Sequence, residues 1–146
     1  MVSHRLMPLD TYLRNSNFVE ILTARLSEFQ LYHKVFVQLE NKLPEELNNL
    51  ENTVKNNFYG IVLEILSNVS KHSHATELRI SSHIDNRENM HFIFLDNGVG
   101  VRKNQGNGIG ILSMQQRAEI LDGGLEISMK DSGTKIALYF PLKQHK

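Results

Sequence analysis

Asp96-Asn97-Gly98-Val99-Gly100 follows directly on the apolar run His91 to Leu95, and a second glycine cluster, Gly106-Asn107-Gly108-Ile109-Gly110, leads into the helix-like segment Ile111 to Leu121. An acidic residue that ends a strand, followed by two glycine clusters and a helix, is the layout of a nucleotide pocket. Glycines let backbone N–H groups approach phosphates closely. A helix start adds unpaired donors and the positive end of a dipole. Taken alone, Asp-Asn-Gly is also an ordinary turn, so the reading depends on what the rest of the chain places beside it.

Working outward from these clusters, Thr53 to His72 is the strongest helix. Val54, Phe58, Ile61, Val62, Ile65, Leu66 and Val69 recur on one face. A helix turns about 100° per residue, which aligns Glu64, Asn68 and Lys71 in a polar stripe bordering that face. The carboxamide oxygen of Asn68 suits Mg²⁺, which prefers hard oxygen ligands. Lys71 suits phosphate as a point cation, and Glu64 suits an attacking group as an orienter or base. A solvated face carrying a Glu–Lys pair has the same pattern. Upstream, Phe18 to Phe29 has helical spacing and Lys34 to Glu40 alternates as a strand. Lys42 to Asn52 reads as a polar connection through Pro44. Thr76 to Asp85 and Asn89 to Asp96 read as strands, Asn97 to Gly108 as a flexible loop. The helix Ile109 to Leu121 is stopped by Gly123-Gly124, and a closing hairpin joins Leu125 to Lys130 with Thr134 to Phe140. This order predicts an α+β fold, a two-layer α/β sandwich with about three helices on one face of a mixed, mostly antiparallel sheet.

Composition sets the outer bounds. The 146 residues suffice for one domain with a core, and 40% apolar content argues against disorder. There is no cysteine, which excludes disulfides and thiolate metal sites. Sixteen basic residues balance sixteen acidic ones, which argues against nucleic acid as a partner. The apolar runs are too short to span a bilayer, and Met1 to Asp10 lacks the apolar core of a signal peptide. The segment is expected to be cytoplasmic, without membrane contact and monomeric. His72 and His74, two apart, do not share a helix face and have no evident third metal ligand. Arg117 has the reach for a phosphate, although a surface salt bridge is its ordinary fate.

Four motifs in register resemble a known family. Glu64-Ile65-Leu66-Ser67-Asn68-Val69-Ser70-Lys71-His72-Ser73-His74-Ala75 resembles the N-box of bacterial sensor histidine kinases. Asp96 to Gly100 and Gly106 to Ile111 resemble their two glycine boxes, and Gly133-Thr134 their terminal Gly-Thr element. The order is that of the Bergerat ATPase fold, shared with gyrase, the heat-shock chaperone and the mismatch-repair ATPase. Lys71-His72, the short Val101 to Gln105 lid and Ser113-Met114-Gln115-Gln116-Arg117-Ala118 resemble the nitrate, membrane-fluidity and quorum sensor subgroup. The resemblance runs from about Phe18 to Leu142.

The resemblance implies ATP and Mg²⁺ as cofactors. Asp96 would accept from the adenine amine, with Thr134 in support, and Asn68 would bind Mg²⁺. Gly98, Gly100, Gly106, Gly108 and Gly110, with Ile111, would shape the turn, the lid and the next helix. Glu64 would assist the acceptor, while Lys71 and His72 would face phosphate or ribose. The implied reaction is transfer of the γ-phosphate to a histidine on a separate dimerisation domain, the phosphate passing afterwards to a response regulator. No phosphoacceptor helix is recognisable here: His4 precedes Pro8, and His33 lies near a helix–strand boundary. Residues 1–14 are therefore expected to be the tail of a dimerisation region and 15–146 the ATPase domain, inactive without its acceptor. A serine kinase that binds a sigma factor, or a nucleotide-dependent interaction module without transferase activity, would share the motifs.

Overall fold

The structure, a computed structural model, describes residues 17–98, 108–130 and 132–143. Helix α1, Phe18–His33, is capped twice. Asn17 Oδ1 accepts from the Glu20 amide at 3.2 Å, and Asn48 Oδ1 from the Val19 amide at 3.0 Å, so two amides lacking intrahelical partners are satisfied. Phe18, Leu22, Leu26 and Phe29 form its buried stripe. Strand β1, Phe36–Leu39, follows a left-handed Lys34. The side chain of Gln30 reaches over from α1, and its Oε1 accepts from the Val37 amide at 2.7 Å. The connection read as polar contains a 3-10 turn, Glu45–Asn49, and inserts Leu43, Leu47 and Leu50 into the core.

Helix α2, Asn52–Asn68, buries the apolar face expected of it. Its continuation differs. Val69–Ser73 winds as a π turn, and the chain leaves it through His74 in the left-handed region. Strands β2, Glu77–Ile84, and β3, Asn89–Asp96, form a hairpin. Its turn is held by Asp85, whose Oδ1 accepts from the Arg87 and Asn89 amides. Helix α3, Gly108–Ile120, ends with Asp122 in the left-handed conformation, not with a glycine. Gly123 has a different reason to be glycine, since a Cβ there would lie 1.8 Å from the Tyr139 carbonyl oxygen. Strands β4, Gly124–Lys130, and β5, Gly133–Pro141, close the sheet.

The sheet order is β1-β2-β3-β5-β4, with β1 parallel to β2 and the other pairs antiparallel. Met90, Phe92, Phe94 and Asp96 alternate with more exposed neighbours along β3, as Thr134, Ile136, Leu138 and Phe140 do along β5. One face is therefore covered by helices and the other is partly solvated, as the α+β reading expects. Phe58 of α2 joins the layers. Its ring lies 4.9 Å from Phe92, 5.7 Å from Phe140 and 6.4 Å from Phe18. Burying such a side chain contributes roughly 1.5–3 kcal/mol. Among the described residues no helix is long and apolar enough to cross a membrane.

Candidate functional site

Alternation along β3 carries the helix-facing side past Phe94 to Asp96, which closes the row at the strand end. Asp96 stands opposite Leu78 of β2 and Thr134 of β5. It is only 7% exposed. Burial pushes its carboxyl pKa above the usual value, against the amides of Gly98 and Thr134, which donate to it. The Gly98 amide lies 2.9 Å from Oδ1. Asn97 fastens the same corner to β2. Its Oδ1 accepts from the amides of Thr76 and Glu77, and its Nδ2 donates to the Thr76 hydroxyl. Gly133, at φ 148°, brings the β4–β5 turn against the Asp96 carbonyl.

A shallow cleft opens beside Asp96. Ile65, Asn68 and Val69 line it from α2 and the π turn, and Ile111 from α3. Leu78, Phe94, Ile127, Met129 and Ile136 line it from the sheet, together with Asp96 and Thr134. The walls are apolar, and three polar side chains converge on them, as in small-molecule sites generally. Thr134 is 7% exposed, and its Oγ1 is a buried oxygen without a hydrogen-bond partner among the described residues. Such an atom is normally satisfied by a ligand or a water. A carboxylate beside an unpartnered hydroxyl, under apolar walls, suits a flat heterocycle that offers a donor at its edge.

Not all the expected residues meet here. Asn68, Asp96, Thr134 and Ile111 border the cleft, and Gly98 supports it through Asp96. Glu64 is half-buried and packs against Gly110 of α3. A Cβ on Gly110 would lie 2.5 Å from Glu64 Oε2. Lys71 is exposed in the π turn and does not line the cleft. The expected stripe assumed an unbroken α-helix, and π winding changes the angular step after Asn68. The side chain of His72 and all of Gly100 and Gly106 lie outside the described residues, as does most of the loop Asn97 to Gly108. Gly108 opens α3. Among the described residues Arg117 neither lines the cleft nor forms an ion pair. Its guanidinium lies over Gly60 of α2, and Nη1 donates to Asn57 Oδ1 at 3.1 Å. Of the apolar wall residues, the sequence reading names only Ile111 for the site. The signal for them is period-two spacing: Phe94 with Asp96, Ile136 with Thr134, and Ile127 with Met129.

The family described as histidine kinase-, DNA gyrase B- and HSP90-like ATPase matches residues 53–144. The sensor histidine kinase LiaS of Bacillus subtilis is 30% identical over 133 residues, which are 89% of this chain and 36% of LiaS. The nitrate/nitrite sensor protein NarX of Escherichia coli is 30% identical over 122 residues, 82% of this chain and 20% of NarX. The chain thus spans little more than a third of LiaS and a fifth of NarX. Among solved structures, the histidine kinase domain of the Erythrobacter litoralis EL346 blue-light activated histidine kinase superposes with a TM-score of 0.67 at 18% identity, covering 87% of this chain and 66% of that one. The Acinetobacter baumannii histidine kinase AdeS gives a TM-score of 0.66 at 16% identity, covering 87% and 64%. At these identities the two structures speak for the fold.

Proposed function

The chain belongs to the family of histidine kinase-, DNA gyrase B- and HSP90-like ATPases, and on that premise we propose that it is the ATP-binding catalytic domain of a sensor histidine kinase. It hands the γ-phosphate of ATP to a histidine on a separate dimerisation domain of the parent kinase, from which the phosphate passes to a response regulator. The observation that carries the nucleotide site is the buried pair of Asp96 and the unpartnered Thr134 hydroxyl at one end of the apolar cleft. The adenine amine needs an acceptor, which a carboxylate supplies, and a hydroxyl can donate or accept beside it. The likeness to LiaS, a sensor histidine kinase, favours a histidine kinase among the members of the family.

The residues divide the work. Asp96 and Thr134 hold the base, and Gly98 braces Asp96 through its amide. Among the described residues no group of three or more His, Cys, Asp or Glu side chains could hold a metal ion. A Mg²⁺ ion would accordingly be held through the nucleotide's phosphates, by water, and by the amide oxygen of Asn68. When bound, it neutralises charge on the phosphates. Glu64 orients the acceptor imidazole or takes its proton. Lys71 and His72 face the phosphates. Gly100 and Gly106 let the lid backbone close over them, and Gly108, Gly110 and Ile111 begin the helix that carries the lid. Catalysis in such a site is mainly positioning and charge neutralisation. A cytoplasmic setting supplies the ATP.

The test combines γ-labelled ATP, Mg²⁺, this chain and the dimerisation domain of its parent kinase. Acid-labile label is expected on the dimerisation domain and none on this chain alone. Transfer should be slow, because separation removes the effective concentration a tether provides. Acid-stable label would indicate a serine or threonine acceptor, as in the anti-sigma kinases. Calorimetry is expected to show ATP binding that strengthens with Mg²⁺; no heat at millimolar nucleotide would remove the site itself. Thr134→Val separates site from scaffold. Deleting a buried unpaired hydroxyl should leave the free protein as stable or raise stability by up to about 1 kcal/mol. ATP affinity should nevertheless fall. A variant that loses stability and keeps its affinity would show that the hydroxyl serves the fold.

A further inference from the structure

Asn57, Gly60 and Glu64 lie three and four residues apart on α2 and share one face, while Gly110 and Arg117 lie seven apart on α3 and share another. The two faces meet along one antiparallel seam. Each helix contributes a glycine, and each glycine receives a long charged side chain from the opposite helix. Arg117 of α3 rests on Gly60 of α2, where a Cβ would stand 2.6 Å from its Cζ. Glu64 of α2 rests on Gly110 of α3, where a Cβ would stand 2.5 Å from its Oε2. Arg117 is anchored further by its hydrogen bond to Asn57.

We propose that Arg117 is a positioning residue for phosphoryl transfer: seated on Gly60 and bonded to Asn57, it sets the height of α3 on α2 and so holds the glycine-opened start of α3 against Glu64. The inference rests on the reading that Glu64 serves the acceptor. Arg117 touches neither the cleft nor, on this account, the nucleotide. It acts through the seam, two helical turns from the contact it controls. A fork-shaped, planar guanidinium suits this seat, because it lies flat over a residue with no side chain while still bonding sideways.

Two variants vacate the seat differently. Gly60→Ala fills it and pushes aside only the mobile end of Arg117. Arg117→Met keeps the aliphatic stem and removes the fork. Each is expected to slow transfer to the dimerisation domain at saturating ATP by about tenfold, the scale on which small misplacements act. The KM and Kd for Mg²⁺-ATP should stay within about twofold. Amide exchange at Leu112 to Met114, in the first bonded turn of α3, should rise about tenfold in both variants. The double variant should be no slower than the slower single one, since both changes abolish one contact. Unchanged exchange in both variants, additive losses in the double variant, or ATP affinity falling in step with the rate would each overturn the proposal. If exchange responds as expected while the unaltered chain transfers no phosphate to histidine, the seam stands and the assigned reaction falls.

Discussion

Gly133→Ala is expected to cost about 3–5 kcal/mol of folding stability, the upper range for a single substitution. Two effects combine. Gly133 sits at φ 148°, where side-chain-bearing residues are strained. Its Cβ would also stand 2.0 Å from the backbone oxygen of Asp96, which cannot swing away as a side-chain tip can. For a chain of this size the melting temperature should fall by about 10–15 °C. The damage is aimed at the site. Relieving the clash means parting β5 from β3 at the Asp96–Thr134 pair, so the fraction that folds should also bind ATP poorly. Gly124→Ala is the internal comparison. Its Cβ would meet the ring of Tyr139, an exposed side chain free to turn, and the loss should be much smaller. Thermal and urea denaturation of the two variants decide this. Equal losses would mean that the close approach at Asp96 is not what requires glycine.

Asp96→Asn should act in the opposite way, sparing the fold and losing the ligand. A charge-assisted hydrogen bond exchanged for a neutral one of uncertain orientation loses roughly 1.5–3 kcal/mol, or about tenfold to 150-fold in ATP affinity. The apo fold should be at least as stable as before. Burial raises the Asp96 pKa from its ordinary 3.8, so the folded chain keeps the proton to higher pH than the unfolded chain does. Stability on this account is greatest below the ordinary value. It declines as pH rises from there to the raised value, then stays lowered. Asparagine removes that decline, and at neutral pH the variant should melt no earlier than the parent. ATP affinity of the parent should fall in mild acid as Asp96 takes up a proton, a dependence the variant should lack. Calorimetry across this pH range tests both statements. Unchanged affinity at neutral pH would reduce Asp96 to a turn residue.

Much of this arrangement was legible in the sequence because it is local. The buried face of α2 follows from apolar residues at helical spacing, and the end of β3 from alternation that stops at an acid beside a glycine. What was not legible depends on neighbours distant in the chain. Leu43, Leu47 and Leu50 have helical spacing, but Pro44 and the surrounding polar residues hide it, and only contact with the core shows that they are buried. Lys71 leaves the line of Glu64 and Asn68 because the winding of α2 changes after Asn68. Arg117 finds its place only because α3 folds back along α2, where Gly60 leaves room. A helix stop read from Gly123-Gly124 fell on the right place for the wrong reason. Asp122 takes the left-handed turn, and Gly123 is small because Tyr139 passes directly over it.

The side chain of Gln30, bonded to the Val37 amide, bears on how copies of this protein behave at high concentration. β1 is the outermost strand on its side of the sheet, and amides pointing outward from such a strand invite another chain to add to it. Here one of those amides is already occupied from within the molecule. The opposite margin, β4, has no such cover among the described residues. A strand adding to β1 would therefore have to displace the Gln30 side chain first, whereas one adding to β4 would meet no such plug.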